Sequence, residues 1–285
     1  MERLVSTEWL QEHLGSPDLC VLDCSVTNVI REGGGFELRS GRDAWAQHHV
    51  PGSRHVDLLS DLSDPSQATP LMMPPVDQAV AAFEAAGVGD GSRVVLYDDN
   101  LAMWAARVWW MLRAIGFQNA ALLDGGWRSW TSEGRPTSED SEDEPARGRL
   151  TPNPRPGVFA AKEEILARLH TPELCLVDAL QPEVFRGERQ DYSRPGHIPG
   201  AYNVPFAELV DPDTHRYLPP EELRRKFSGA PLGSAERVVT YCGGGVAASS
   251  AAFALGLIGI DAVSVYDGSL LEWTADPSLP LSTGA

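Results

Sequence analysis

The sequence predicts an α/β protein of two tandem domains, each a parallel sheet with helices on both faces. Three observations carry that expectation. Blocks of sequence recur in the same order along the chain, short apolar β-branched runs alternate with longer helix-like stretches, and the length of 285 residues suits two domains of roughly 140 residues each.

The repeat comes first, because missing it would misread the whole architecture. LCVLDC around Asp23 returns as LCLVDA around Asp178, and HHVPGSRHVDL at Val50 as GHIPGAYNVPF at Ile198. RVVLYD, ending at Asp98, returns as RVVTYC, ending at Cys242; ALLDGGWRSW, ending at Trp130, returns as SVYDGSLLEW, ending at Trp273. The offsets run from 143 (Trp130 to Trp273) to 155 (Asp23 to Asp178). Four blocks in one order make a duplicated domain. Between the copies lie the acidic run TSEDSEDE and the proline-broken RGRLTPNPRPG, which read as a linker by composition. The expected division is 1–136 for a non-catalytic N-terminal domain, 137–157 for the linker and 158–285 for the catalytic C-terminal domain.

Within each copy the strands are RVVLY and AALLD, then RVVTY and AVSVY, bounded by Gly, Asp or Asn. Between them AMWAARVWWMLRAIG and VAASSAAFALGLIG are long enough for helices and end at glycine. Strand, helix, strand in register is the βαβ pattern of a parallel sheet. In such sheets a ligand sits where strands end and helices begin.

Composition narrows the function. A hydrophobic fraction of 42% lets each half bury its own core, and a formal net charge of −17 argues against nucleic acid or acidic lipid as partner. A small anion remains compatible, because a site can be locally positive. No stretch approaches the roughly 20 apolar residues that span a bilayer, and MERLVSTEWLQEHLG reads as a short strand and an amphipathic helix rather than a secretory signal. Four scattered cysteines (Cys20, Cys24, Cys175, Cys242) do not make a disulfide framework, so a reducing, cytoplasmic setting is expected. No cofactor and no metal are expected: Cys20 and Cys24 have no histidine ligands nearby in sequence.

The chemistry points to YCGGGVAASSAAF. Cys242 follows an apolar strand, Gly243, Gly244 and Gly245 follow the cysteine, and a helix of small residues begins near Val246. Glycines let such a loop turn tightly and aim backbone N–H groups inward, and the helix start adds its own unpaired N–H groups. That cradle is expected to favour a thiolate over a thiol, and to hold a persulfide anion. Cys20 and Cys175 stand inside apolar strands and read as core residues. Cys242 has no cysteine counterpart, because Asp98 takes the matching place.

With these residues the sequence resembles the tandem-domain rhodanese family, the thiosulfate and 3-mercaptopyruvate sulfurtransferases, over nearly its whole length. HVPG and HIPGA, ARVWWMLRAIG with Arg107, LLDGGW, YCGGGV and YDGSLLEWTADPSLPL carry the resemblance. It implies that Cys242 is the nucleophile. Cys242 would take sulfane sulfur from a small anionic donor, become a persulfide and pass the sulfur to cyanide or a thiol. It also implies a substrate site built from Gly243, Gly244, Gly245, Val246 and Arg186. Arg189 and Arg194 lie nearby in an expected loop.

The departures bear on the donor. Thiosulfate-type members carry basic residues directly after the cysteine, where Gly243 and Gly244 stand. Mercaptopyruvate-type members carry CGSGVT, and this loop has Gly244 and Ala247 in place of the two hydroxyls. Their Arg-aromatic-Arg-Gly segment reads Val184-Phe185-Arg186-Gly187 here, and their acid and histidine from the first domain have no clear match in DLLSDLSDPSQATPLMMP. Two competing readings follow. A cysteine phosphatase would need an arginine six residues after the cysteine, where Ala248 stands. A non-catalytic rhodanese-like binding or regulatory protein is the alternative that loss of the loop hydroxyls suggests. His49 and His197, before Pro-Gly turns, read as structural. Trp104, Trp109 and Trp110 read as core or domain interface, and Asp23 and Asp178 as strand-end residues that order the loop.

Overall fold

The computed structural model describes residues 1–30, 36–139 and 146–284. Its contacts divide the chain into two units. The first holds Met1–Ser66, Met73–Arg155 and Asp213–Arg216; the second holds Gln67–Met72, Pro156–Pro212 and the chain from Tyr217 onward.

The first unit runs β1 (Leu4–Val5), α1 (Thr7–His13), β2 (Leu19–Asp23), β3 (Val26–Ile30), β4 (Phe36–Ser40), α2 (Arg42–Gln47), β5 (Arg54–His55), α3 (Val76–Ala85), β6 (Arg93–Tyr97), α4 (Met103–Ala114), β7 (Ala120–Leu123) and α5 (Gly126–Ser132). Its sheet has the order β1-β7-β6-β2-β5 with every pairing parallel, and β3 and β4 form a separate antiparallel ribbon. The second unit runs β8 (Phe159–Ala160), α6 (Lys162–Arg168), β9 (Leu174–Asp178), α7 (Pro182–Phe185), β10 (Tyr202–Asn203), a 3-10 turn (Phe206–Glu208), α8 (Pro220–Lys226), β11 (Arg237–Tyr241), α9 (Val246–Leu257), β12 (Val263–Tyr266) and α10 (Ser269–Ala275). Its parallel sheet, β8-β12-β11-β9-β10, repeats the order of the first, strand for strand.

Both sheets are covered on both faces. Val94 to Tyr97 in β6 and Val238 to Tyr241 in β11 are buried without a break, although successive side chains point to opposite faces. Helix α9 is buried from Val246 to Leu255, which explains a sequence of small and apolar residues with no polar face. The duplication reaches single hydrogen bonds. Trp130 Nε1 donates to the Pro136 carbonyl and Trp273 Nε1 to the Pro280 carbonyl, each at 2.8 Å. His49 bridges to Ser138 and His197 to Ser282, and each ring donates from Nδ1 to a carbonyl at 2.7 Å. Both histidines are buried, and they hold turns. Trp104, Trp109, Trp110 and Arg107 are buried on α4.

The stretch expected as a linker behaves differently in part. Of the acidic run 137–144, residues 140–144 lie outside the described residues. Beyond it, the chain to Arg155 packs against the first unit. Thr151, Asn153 and Arg155 donate their N–H groups to Asp90, Ile115 and Ala114, while Pro152 and Pro154 fall between them and Pro156 follows. Alternation is the reason: in extended chain every second residue faces away, so prolines there cost no hydrogen bond.

Candidate active site

Strand β11 delivers Cys242 to the carboxyl edge of the second sheet, and α9 leaves from the far side of the glycine loop. Gly245, the residue before the helix, has φ +74°, a left-handed conformation that glycine adopts without strain. Cys242 is 2% exposed. Backbone N–H groups of Ala248, Gly244 and Gly245 favour its thiolate, as expected of the cradle. Burial nevertheless has the larger effect and pushes the Cys242 thiol up, with the Asp178 charge adding in the same direction. The expected preference for thiolate is therefore not met in the closed cradle, because desolvation outweighs three neutral donors.

The other half contains the same cradle with an anion already in it. The Asp98 carboxylate accepts N–H groups from Asn100 (2.7 Å), Ala102 (3.1 Å) and Ala105 (2.8 Å). Ala102 precedes α4 with φ +59°, as Gly245 precedes α9. Burial pushes the Asp98 carboxyl up to about 6 against those three donors.

Three features at Cys242 escaped the sequence. Ser269, at the start of α10, accepts the N–H groups of Cys242 (3.1 Å) and Gly245 (3.2 Å) and donates to the Tyr266 carbonyl (2.7 Å). The repeat held a signal: Ser269 stands where the first copy has Gly126, and both have left-handed backbone, at φ +47° and +52°. The second is Tyr192, whose hydroxyl fills the place of a Cβ at Gly243. The third is Gln67–Met72, which belongs to the second unit; Leu271 and the Pro70 carbonyl stand 3.2 and 3.9 Å from a Cβ placed on Gly244. No periodicity marks either of the last two.

Gly243, Gly244, Gly245 and Val246 thus meet at Cys242, while the arginines are spread differently. Arg186 makes a two-pronged ion pair with Glu188 at 2.8 Å. Arg189 pairs with Asp191 at 2.9 Å, and its charge also reaches Tyr192 at the cradle. Arg194 donates to the carbonyls of Trp273, Thr274, Asp276 and Leu279, closing the end of α10, which makes it a structural residue. Cys20 in β2 is half-buried and its thiol donates to the Gly87 carbonyl at 3.3 Å, while Cys175 in β9 is buried; burial pushes the Cys175 thiol up to about 11. Asp178 ends β9, accepts the Leu180 N–H at 2.8 Å and is pushed up to about 7 by burial. Among the described residues no helix is long and apolar enough to cross a membrane.

Fold and site together define a duplicated α/β protein with a cysteine between a strand end and a helix start, and known proteins are similar to it over its length. The model of the rhodanese-like domain matches residues 6–133 and 161–276. The chain is 36% identical to a probable 3-mercaptopyruvate sulfurtransferase of Pseudomonas aeruginosa, over 99% of this chain and 98% of that one. It is 33% identical to the thiosulfate sulfurtransferase of Rattus norvegicus, over 99% of this chain and 95% of that one. The crystal structure of SseA from Escherichia coli, described as a 3-mercaptopyruvate sulfotransferase of rhodanese fold, is 28% identical. It superposes with a TM-score of 0.83, over 94% of this chain and 99% of that one. The chain belongs to the rhodanese family and is an enzyme of the sulfurtransferase class.

Proposed function

We propose that the enzyme moves sulfane sulfur from 3-mercaptopyruvate, through a persulfide on Cys242, to a thiol or cyanide. The observation that carries this reading is a single cysteine at a strand end, faced by three inward N–H groups, where the other copy holds a carboxylate in the same donors. In the first step Cys242 Sγ loses its proton and attacks the donor sulfur. The C–S bond breaks, its electron pair goes to carbon as the enolate of pyruvate, and that carbon takes up a proton. In the second step cyanide or a thiolate attacks the outer sulfur, and the Cys242 thiolate leaves. The cradle serves both anions, since each carries its charge on sulfur near Gly244, Gly245 and Ala248.

The donor assignment follows from what surrounds the loop. Thiosulfate is a compact dianion, and the loop has no lysine or arginine to meet it; Tyr192 and Leu271 stand where side chains at 243 and 244 would go. A carboxylate held away from the sulfur suits the arginine-bearing segment 186–189. Arg189, whose charge is felt at Tyr192 beside Gly243, is the better candidate than Arg186. Its exposed pair with Asp191 is worth about 1 kcal/mol or less and is easily exchanged for substrate. A reducing, cytoplasmic setting, small-molecule partners and no nucleic-acid or membrane partner complete the reading. The non-catalytic alternative is disfavoured by full-length likeness to sulfurtransferases and by an intact cradle around the cysteine. Steady-state rates with both donors on one preparation test the reading, together with the mass gain of one sulfur atom in wild type and its loss in Cys242→Ser. Persulfide formation in Cys242→Ser would refute it.

A further inference from the structure

The loop from Gly243 to Ala247 carries no side-chain hydroxyl, and one hydroxyl reaches it from elsewhere. Tyr192 belongs to the segment between α7 and β10, and its ring packs on the core cluster of Tyr241, Tyr266, Leu270 and Trp273. Its hydroxyl sits in the space that any side chain at position 243 would occupy: a Cβ on Gly243 would overlap Tyr192 Oη and meet Cζ at 2.9 Å. Among the described residues no group accepts a hydrogen bond from that hydroxyl. Burial and the neighbouring charges of Cys242, Asp191 and Asp178 keep it protonated, with Arg189 opposing them weakly. An O–H group that stays protonated is a donor waiting for an acceptor.

We propose that Tyr192 is a further catalytic residue, whose hydroxyl donates a hydrogen bond to sulfur on Cys242, thiolate or persulfide. Glycine at 243 is then a requirement of the site, because it makes room for the donor. The inference rests on Cys242 carrying the sulfur.

Tyr192→Phe removes the hydroxyl and keeps the ring over Gly243. Losing a hydrogen bond to a charged acceptor lowers kcat/KM with 3-mercaptopyruvate roughly tenfold or more. The pH midpoint for alkylation of Cys242 by iodoacetamide moves upward, since the thiolate loses a donor, and a merely structural role would not move it. Gly243→Ala, which forces the hydroxyl aside, reproduces both effects, and the double variant loses less than the product of the two singles. Tyr192→Phe with unchanged kcat/KM and an unmoved midpoint overturns the proposal. A fall in activity with an unmoved midpoint overturns it as well, because packing alone would explain that result. If wild type forms no persulfide, the sulfurtransferase reading of Cys242 fails first, and the alkylation midpoint still reports whether the hydroxyl acts on its sulfur.

Discussion

Replacing Ser269 by alanine removes a side chain that ties both ends of the cysteine loop together. Its hydroxyl accepts from Cys242 N–H at 3.1 Å and Gly245 N–H at 3.2 Å, and donates to the Tyr266 carbonyl at 2.7 Å, all fully buried. Each donor left unpaired away from water costs about 1–3 kcal/mol. The Gly245 N–H keeps the Cys242 sulfur beside it, so the Cys242 N–H is the donor left unpaired and Ser269→Ala should lose about 1–3 kcal/mol. That is a large share of the 5–15 kcal/mol that stabilises a typical domain. Urea unfolding of the whole chain measures the loss. Ser269→Gly separates two causes, because it also lacks the hydroxyl but relieves the left-handed backbone at φ +47°. It should be the more stable of the two by about 1 kcal/mol. Ser269→Ala with a wild-type midpoint and wild-type persulfide yield would refute the argument.

Other outcomes follow from the same geometry. Cys242→Ser abolishes sulfur transfer and persulfide formation, whereas Cys175→Ala, a truncation inside β9, costs stability and leaves the persulfide detectable by mass. Asp98→Ala leaves three N–H groups without their acceptor and lowers stability by about 3 kcal/mol, while kcat stays within a few-fold of wild type; a loss matching Cys242→Ser would place Asp98 in the chemistry. Arg189→Ala lowers kcat/KM for 3-mercaptopyruvate roughly 10- to 100-fold, as for the loss of a charge-assisted hydrogen bond, and more than Arg186→Ala does; the reverse ranking would return the assignment to Arg186. Asp178, pushed up from 3.8 to about 7, binds its proton more tightly in the folded state, so its contribution is complete below about pH 4 and lost as pH rises through about 7. Asp178→Asn abolishes that loss, and its stability relative to wild type should climb between about pH 4 and pH 7, by at most about 4 kcal/mol.

The fold was legible because duplication wrote it twice. Strand-end markers such as Asp23 and Asp178, or Asp98 and Cys242, align the two copies within the sequence itself, and their sheets have one order. The cysteine loop was legible for the same reason. What stayed hidden depends on segments that meet only after folding. Tyr192 lies 50 positions before Cys242, and Gln67–Met72 joins a unit whose other residues begin at Pro156. The Cys242 thiol departs from expectation because burial, unlike a glycine pattern, is not written in the local sequence. Up to Arg155 the proline-broken stretch belongs with the first unit, because composition counts prolines without asking which face of an extended chain they occupy.

On the proposed reading, the two cradles differ in what would separate a catalytic copy from a silent one. Strand, left-handed turn and helix are shared, and the donors correspond: Asn100, Ala102 and Ala105 in one, Gly244, Gly245 and Ala248 in the other. The first copy closes its donors on a carboxylate from its own chain, which leaves them nothing to offer a substrate anion. In the second the strand ends in a thiol, whose sulfur can gain and lose a second sulfur within the same donors. The turn beneath is also re-equipped. Gly126, whose absent side chain leaves room for the Asp98 carbonyl, is replaced by Ser269, which accepts the same left-handed strain. A serine there is costly for the backbone, and only a hydroxyl bridging Cys242 and Gly245 recovers that cost. On the proposed reading, strain is tolerated in the copy that would hold an anion that comes and goes; where the Asp98 carboxylate is built in, glycine suffices.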